Sequence, residues 1–250
     1  MDEEEVEEVV EQEVVVSDII KELAEKKVVL HGSVCEGCGA QIGLKIALQL
    51  IDNPVLVFAD DHISPIREFL NVPSIKSSNP APAAAAIAKI LNCNVICYVG
   101  NAVTAETMQS IISAKKENII YISYNTEIRR MLSESIPSYS ATASVSHMED
   151  YINKIKKSLS LHGLRFIELF SPCPKSGFDP SNTVEVARLA VETGTWPLYE
   201  IERGKLSLTY KPTRLDPIVS YLEAAGIRNQ EEASALQERV SKNWRRLSRR

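Results

Sequence analysis

The sequence predicts an α/β protein: a doubly wound, mostly parallel sheet with helices on both faces, closed at its C-terminal end by a hairpin and a helical extension. Two observations carry that expectation. The runs Val55-Leu56-Val57-Phe58-Ala59, Val95-Ile96-Cys97-Tyr98-Val99, Ile119-Ile120-Tyr121-Ile122-Ser123-Tyr124 and Phe166-Ile167-Glu168-Leu169-Phe170 are apolar without strict alternation, as strands covered on both faces are. Most are separated from the next by a stretch of helical period, the βαβ rhythm of a parallel sheet.

Taken in order, residues 1–12 are Glu and Asp interleaved with Val, a self-repelling composition expected to form a disordered or frayed arm. Ser17 is the expected N-cap of a short helix over 18–26, with acids ahead of lysines. A short strand at 28–30, a cysteine loop and a helix at 40–51 follow. Strand 55–59 leads to a helix start near Pro65 and a Pro- and Ser-rich turn at 72–82. An alanine-rich helix from Pro82 to Leu91 has proline in its first turn. After strand 95–99 come a turn at Gly100, a helix over 104–115 and strand 119–124. Residues 148–161 form an amphipathic helix with Tyr151, Ile152, Ile155 and Leu159 on one stripe. Strand 166–170 precedes a helix at 183–193, expected to be capped by Ser181 or Asn182. A hairpin of 198–201 with 206–210 and a last helix at 231–247 end the chain. The expected division is an arm and short helix over 1–26, an α/β domain over 27–195, and an extension over 196–250 belonging to the same unit.

With 250 residues, 44% hydrophobic and 24% charged, the chain can bury a full core. A net charge of −5 is too even for nucleic-acid binding by the whole chain. No apolar run approaches the roughly 18 to 20 residues of a membrane span, and the N-terminus begins with acids instead of the basic region of a signal peptide. Cytoplasm is the expected compartment. Five cysteines, an odd number, point to reduced thiols or metal ligands in preference to a disulfide framework.

The stretch Cys35-Glu36-Gly37-Cys38-Gly39 is the centre of the chemical reading. A C-x-x-C containing glycine lets two thiols turn to a common centre, as zinc and iron–sulfur clusters require. A redox pair or two unrelated core residues are the alternatives. Cys173, after strand 166–170, and His62, after strand 55–59, follow strands whose carboxyl ends share an edge in a parallel sheet, so both can converge on the loop. Cys93 and Cys97, in or beside a strand, read as core thiols.

Several motifs occur together in one order: Cys35-Glu36-Gly37-Cys38-Gly39-Ala40, Ser140-Ala141-Thr142-Ala143-Ser144, Ser171-Pro172-Cys173-Pro174, the run from Glu185 to Thr193, and Trp196-Pro197-Leu198-Tyr199-Glu200. In these the chain resembles the beta subunits of 2-oxoacid:ferredoxin oxidoreductases, the pyruvate:ferredoxin oxidoreductase (pyruvate synthase) branch above all, from about Lys27 onward. The resemblance implies the thiamine-diphosphate-binding fold and a place in a hetero-oligomer. It also implies the oxidative decarboxylation of a 2-oxo acid, with coenzyme A taking the acyl group and ferredoxin the electrons. The alternative it leaves is a non-catalytic paralogue, a scaffold or electron-relay chain that has lost thiamine diphosphate.

Position by position, Cys35, Cys38 and Cys173 match three of the family's four 4Fe–4S ligands. The place of the other falls at or next to His62, whose neutral ring can bind iron or zinc. The implied centre is thus a 4Fe–4S cluster or a zinc ion. For thiamine diphosphate and its Mg²⁺ the matching positions are Gly100, Asn101, Thr126 and the Ile128 carbonyl. The family's Gly-Asp-Gly reads Gly100-Asn101-Ala102 here, which removes the carboxylate. Only about ten residues join Glu127 to Ser138, where relatives carry several dozen more over the cofactor. The face made by 196–227 and the last helix, with Trp196, Tyr199, Leu222 and Trp244, is expected to pack against another surface.

Overall fold

The computed structural model describes residues 35–59, 63, 72–100, 118–125, 138–227 and 230–247, the last segment with side chains from 233 onward. The expected arm and short helix at 1–26, strand 28–30, and the helices near Pro65 and at 104–115 lie outside those residues.

Eight strands form one sheet in the order β2-β1-β3-β4-β6-β5-β7-β8. They are β1 (Val55–Phe58), β2 (Ser74–Lys76), β3 (Val95–Gly100), β4 (Ile119–Asn125), β5 (Tyr139–Ser144), β6 (Leu164–Phe170), β7 (Tyr199–Glu202) and β8 (Lys205–Leu208). The first six pair in parallel. The pairs β5–β7 and β7–β8 are antiparallel. The described helices are α1 (Gly39–Leu50), α2 (Pro80–Leu91), α3 (Met148–Ser160), α4 (Thr183–Glu192), α5 (Ile218–Ala224) and α6 (Gln230–Leu247). This is the mostly parallel α/β fold with a C-terminal hairpin and helices that the sequence predicts.

The period of two along each strand divides the core into two layers. Leu56, Phe58, Ile96, Tyr98, Ile120, Ile122 and Tyr124 join one layer with residues of α1, α3, α4 and α5. Val55, Val57, Val95, Cys97, Ile119, Tyr121 and Phe166 join the other with Ala81, Ala84 and Ala88 of α2. Alanines at that spacing give α2 a flat face that lies close to the sheet. Cys97 is fully buried and Cys93 packs at the edge of the same layer, both as core thiols.

Four local expectations need correction. The turn at 72–82 contains β2, an edge strand bonded on one side to β1 and too short to show a period. The Ser140–Ser144 motif is itself part of a strand. Its buried Thr142 hydroxyl donates to the Pro197 carbonyl oxygen at 2.7 Å, so a polar residue sits in the interior without an orphaned group. Helix α5 went unread because it is only seven residues long. Neither Ser181 nor Asn182 caps α4 with its side chain; the chain enters through a 3₁₀ turn in which Asp179 accepts from the Ser181 N–H at 2.8 Å.

The hairpin turns on Arg203 and Gly204, both at positive φ (50° and 78°), the backbone that matches the twist of paired strands. It extends the sheet that holds the rest of the fold. Trp196, Tyr199 and Leu222 of the C-terminal region are buried within this chain, where Trp196 stacks on Phe170. These three therefore pack inward, against the expectation that they meet another surface.

Candidate metal centre

The chain leaves β1 towards β2 on one side and leaves β3 towards β4 on the other, so the sheet reverses direction between β1 and β3. In open α/β sheets the crevice beyond the carboxyl ends at such a point is where ligands bind. The ends of β1, β3, β4 and β6, at Phe58, Gly100, Asn125 and Phe170, are aligned there.

Helix α1 carries the cysteine loop to this edge by lying unusually close to the sheet. A Cβ on Gly43 would stand 2.2 Å from Leu169 Cδ2 and 3.1 Å from the Tyr98 hydroxyl, so glycine allows the close approach to β3 and β6 without displacing the Leu169 side chain. Tyr98 donates to the Ala40 carbonyl oxygen at 2.6 Å, and Tyr151 of α3 donates to that of Gly43 at 3.2 Å. At the start of the helix, a Cβ on Gly39 would meet the backbone of Ser171 at 2.9 Å. The loop is therefore seated directly on Ser171-Pro172, the residues that deliver Cys173.

A second clamp comes from α4. Thr183 donates from its hydroxyl to the Gly37 carbonyl oxygen at 2.6 Å. Gly37 adopts φ +63°, and a side chain there would strike the Pro180 carbonyl. The segments 35–39 and 171–183 thus form one unit.

Cys35, Cys38 and Cys173 are all half-buried free thiols. Burial pushes the Cys38 thiol above its usual range; the N–H groups of Gln41 and Ala40 oppose that rise, while Cys35 and Cys173 add to it by charge repulsion. The two N–H groups face the sulfur without making a side-chain cap, since the Gln41 N–H bonds the Cys38 carbonyl oxygen at 3.1 Å. Cys38 is therefore an electrostatic neighbour of both other thiols. Among the described residues, however, no three His, Cys, Asp or Glu side chains converge to hold a single ion. Zinc takes its sulfurs about 2.3 Å from one point, whereas in a cubane cluster each thiolate binds a different iron.

Two further groups belong to this place. The Ser171 hydroxyl, on a residue 1% exposed, and the Gln41 side-chain nitrogen are both buried with no hydrogen-bond partner. Each orphaned group costs about 1–3 kcal/mol unless something accepts from it. Three thiols and two orphaned donors fit a sulfur-rich, negatively charged group. Sequence reading passed over Thr183, Ser171 and Gln41. Ser171 stood inside a quoted motif, but only its burial without a partner draws notice.

His62, Asn101, Thr126 and Ile128 lie outside the described residues. Gly100 is at the carboxyl end of β3, and the Tyr124 ring fills the space beside its Cα, 2.6 Å from where a Cβ would be. Tyr124 in turn stacks on Tyr98 at 4.8 Å. Mg²⁺ bound to a diphosphate is held by carboxylates and hard oxygens, and Asn101, Thr126 and one carbonyl offer no charge. That donor set lacks the charged oxygen that the Mg²⁺–thiamine diphosphate pair favours.

A cleft of about 700 Å³ opens elsewhere, at the end of β5, lined in part by His147, Lys154, Lys157, Glu200 and Tyr210. Both of its lysines are occupied with carboxylates or other protein oxygens. Lys154, 2% exposed, donates to Asp150 at 2.5 Å and to the Thr142 carbonyl oxygen and Thr209 hydroxyl at 2.7 Å. Lys157 bridges Glu200 and Glu202.

The chain is similar over most of its length to a known protein. The pyruvate synthase subunit PorB of Methanothermobacter marburgensis is 33% identical over 246 residues, covering 76% of this chain and 85% of that protein. The chain belongs to the PorB family. PorB of Methanocaldococcus jannaschii is 48% identical over a shorter stretch of 94 residues, 37% of this chain and 31% of its own. The ketoisovalerate oxidoreductase subunit VorB of Pyrococcus horikoshii is 39% identical over 123 residues, 47% of this chain and 39% of its own. The relatives thus carry names with different 2-oxo acids. No protein-family model matches the chain. No helix among the described residues is long and apolar enough to cross a membrane.

Proposed function

We propose that the chain works as the beta-type subunit of a 2-oxoacid:ferredoxin oxidoreductase, in which a 2-oxo acid loses carbon dioxide, coenzyme A takes the acyl group and electrons leave for ferredoxin. Its share is to hold an iron–sulfur centre through Cys35, Cys38 and Cys173, with His62 as the remaining protein ligand. When bound, such a centre supplies a one-electron carrier of tunable potential. This chain's own residues seat it: Gly39 and Ser171 bring two chain segments into contact, Thr183 fixes the loop, and the N-terminus of α1 faces the sulfur of Cys38. The observation that carries the reading is the seating of the C-x-x-C loop on the segment that delivers Cys173, in a chain with PorB relatives.

The absent carboxylate at Asn101 and the Tyr124 ring over Gly100 favour a second reading for the chain alone: an electron-relay or scaffold subunit that leaves thiamine chemistry to another chain. Both readings place it with other subunits and in the cytoplasm, where reduced thiols persist. In both, 27–195 and 196–250 act as one unit, supported by the shared sheet, while 1–26 is an appended arm.

Anaerobic purification followed by iron, zinc and acid-labile sulfide analysis tests the centre, and the accompanying chains test the assembly. Iron with sulfide and copurifying subunits is the expected result. A chain running alone with zinc or no metal overturns the proposal. Calorimetric titration with thiamine diphosphate and Mg²⁺ separates the two readings: tight Mg²⁺-dependent binding by this chain alone excludes the relay reading.

A further inference from the structure

We propose that Gln41 and Ser171 are positioning residues that donate hydrogen bonds to the sulfur atoms of the centre and so raise its reduction potential; this rests on the iron–sulfur reading above. Buried polar groups in folded proteins are almost always paired. Here two donors are buried without partners, and both belong to the elements that meet at the cysteine loop. Ser171 lies against Gly39, its Cα 3.0 Å from the position of a Gly39 Cβ, and is two residues before Cys173. Gln41 occupies the first turn of α1, and helical side chains lean towards their own N-terminus, which carries its amide towards Cys38.

The chemistry of the two groups decides what they can meet. An amide nitrogen only donates, and a serine hydroxyl has a proton to give. Metal-bound thiolates and bridging sulfides are anionic acceptors that fit both. Because reduction adds negative charge to the cluster, donors aimed at its sulfurs favour the reduced form, one of the ways proteins set such potentials.

The test uses the full chain with its copurifying subunits, anaerobically loaded with iron and sulfide, and compares it with Gln41→Met, Ser171→Ala and the double variant. EPR-monitored redox titration reads the midpoint. The variants should keep the same iron and sulfide content and the same far-UV circular dichroism. Their midpoints should move to more negative values, the double variant by about 59 mV if the donors together shift the one-electron equilibrium tenfold. A second measurement needs no variant: with ¹⁵N in glutamine side-chain amides, the reduced cluster should show a ¹⁵N hyperfine coupling that Gln41→Met removes. Unchanged midpoints in loaded variants, or no such coupling in the parent chain, overturn the inference and leave the proposed function standing. A parent chain without iron and sulfide overturns both.

Discussion

The hydroxyl of Thr183 and the carbonyl oxygen of Gly37 are joined at 2.6 Å across 146 positions of sequence, tying the first residue of α4 to the cysteine loop. Thr183→Val keeps the shape and removes the donor. The expected loss of stability is about 0.5–1.5 kcal/mol, one hydrogen bond. The larger effect should be faster release of iron to a chelator, because the loop loses its clamp. Urea denaturation and chelator kinetics measure the two, and unchanged kinetics would mean that Gly39 packing alone holds the loop.

Replacing Cys35, Cys38 or Cys173 singly by serine should reduce iron and sulfide content sharply, and so should His62→Ala. Cys97→Ala is the control. Its thiol is fully buried and burial pushes its pKa far up, so it is an inert core group whose loss costs stability and leaves iron unchanged. Iron loss from Cys97→Ala equal to that from Cys38→Ser would remove the distinction.

Gly43→Ala forces a methyl to within 2.2 Å of Leu169 Cδ2. Overpacking of this kind costs about 1–3 kcal/mol. It also lifts α1 from β6, so the variant should lose both denaturation midpoint and cluster occupancy. Pairing it with Leu169→Ala, which vacates the space, should recover part of both.

Lys154 is buried with all its described partners on the protein, namely Asp150, the Thr142 carbonyl and Thr209. Lys154→Met preserves the aliphatic stem and should destabilise by about 1.5–3 kcal/mol, the range for hydrogen bonds to a charged group. Iron content should not change, since the cleft at the end of β5 is separate from the cysteine loop. Loss of iron in this variant would link the two regions.

Burial lowers the pKa of His147 below the ordinary histidine value, against the opposing charges of Glu192 and Asp150. The unfolded chain therefore takes up this proton first as the pH falls through about 6.5. Stability from this group is present above that pH and is lost as pH falls to the folded-state value, where the loss levels off. His147→Gln should flatten the stability profile between about pH 7.5 and 5.5. Parallel profiles for the two proteins would assign the acid sensitivity to other groups.

The parallel sheet was readable because Val55–Phe58, Val95–Gly100 and Ile119–Asn125 are each buried on both faces and must be apolar throughout. Tyr139–Ser144 was read only as a motif, because its polar atoms are satisfied by partners such as Pro197 that lie far along the chain. The cysteines announced themselves by spacing. Their support did not: Thr183 looks like any helix start, and nothing local marks Ser171 or Gln41 as lacking a partner. Glycines 39 and 43 are likewise silent in sequence, since a close approach is a property of two segments.

The seating of Gly39 on Ser171 also fixes an order of events during biosynthesis. The C-x-x-C half of the loop leaves the ribosome early, but Cys173 follows only once the residues of β6 have been made. A centre that needs both halves cannot be completed before residue 173 has emerged, so its loading would be a late step, open to the supply of iron and to exposure to oxygen.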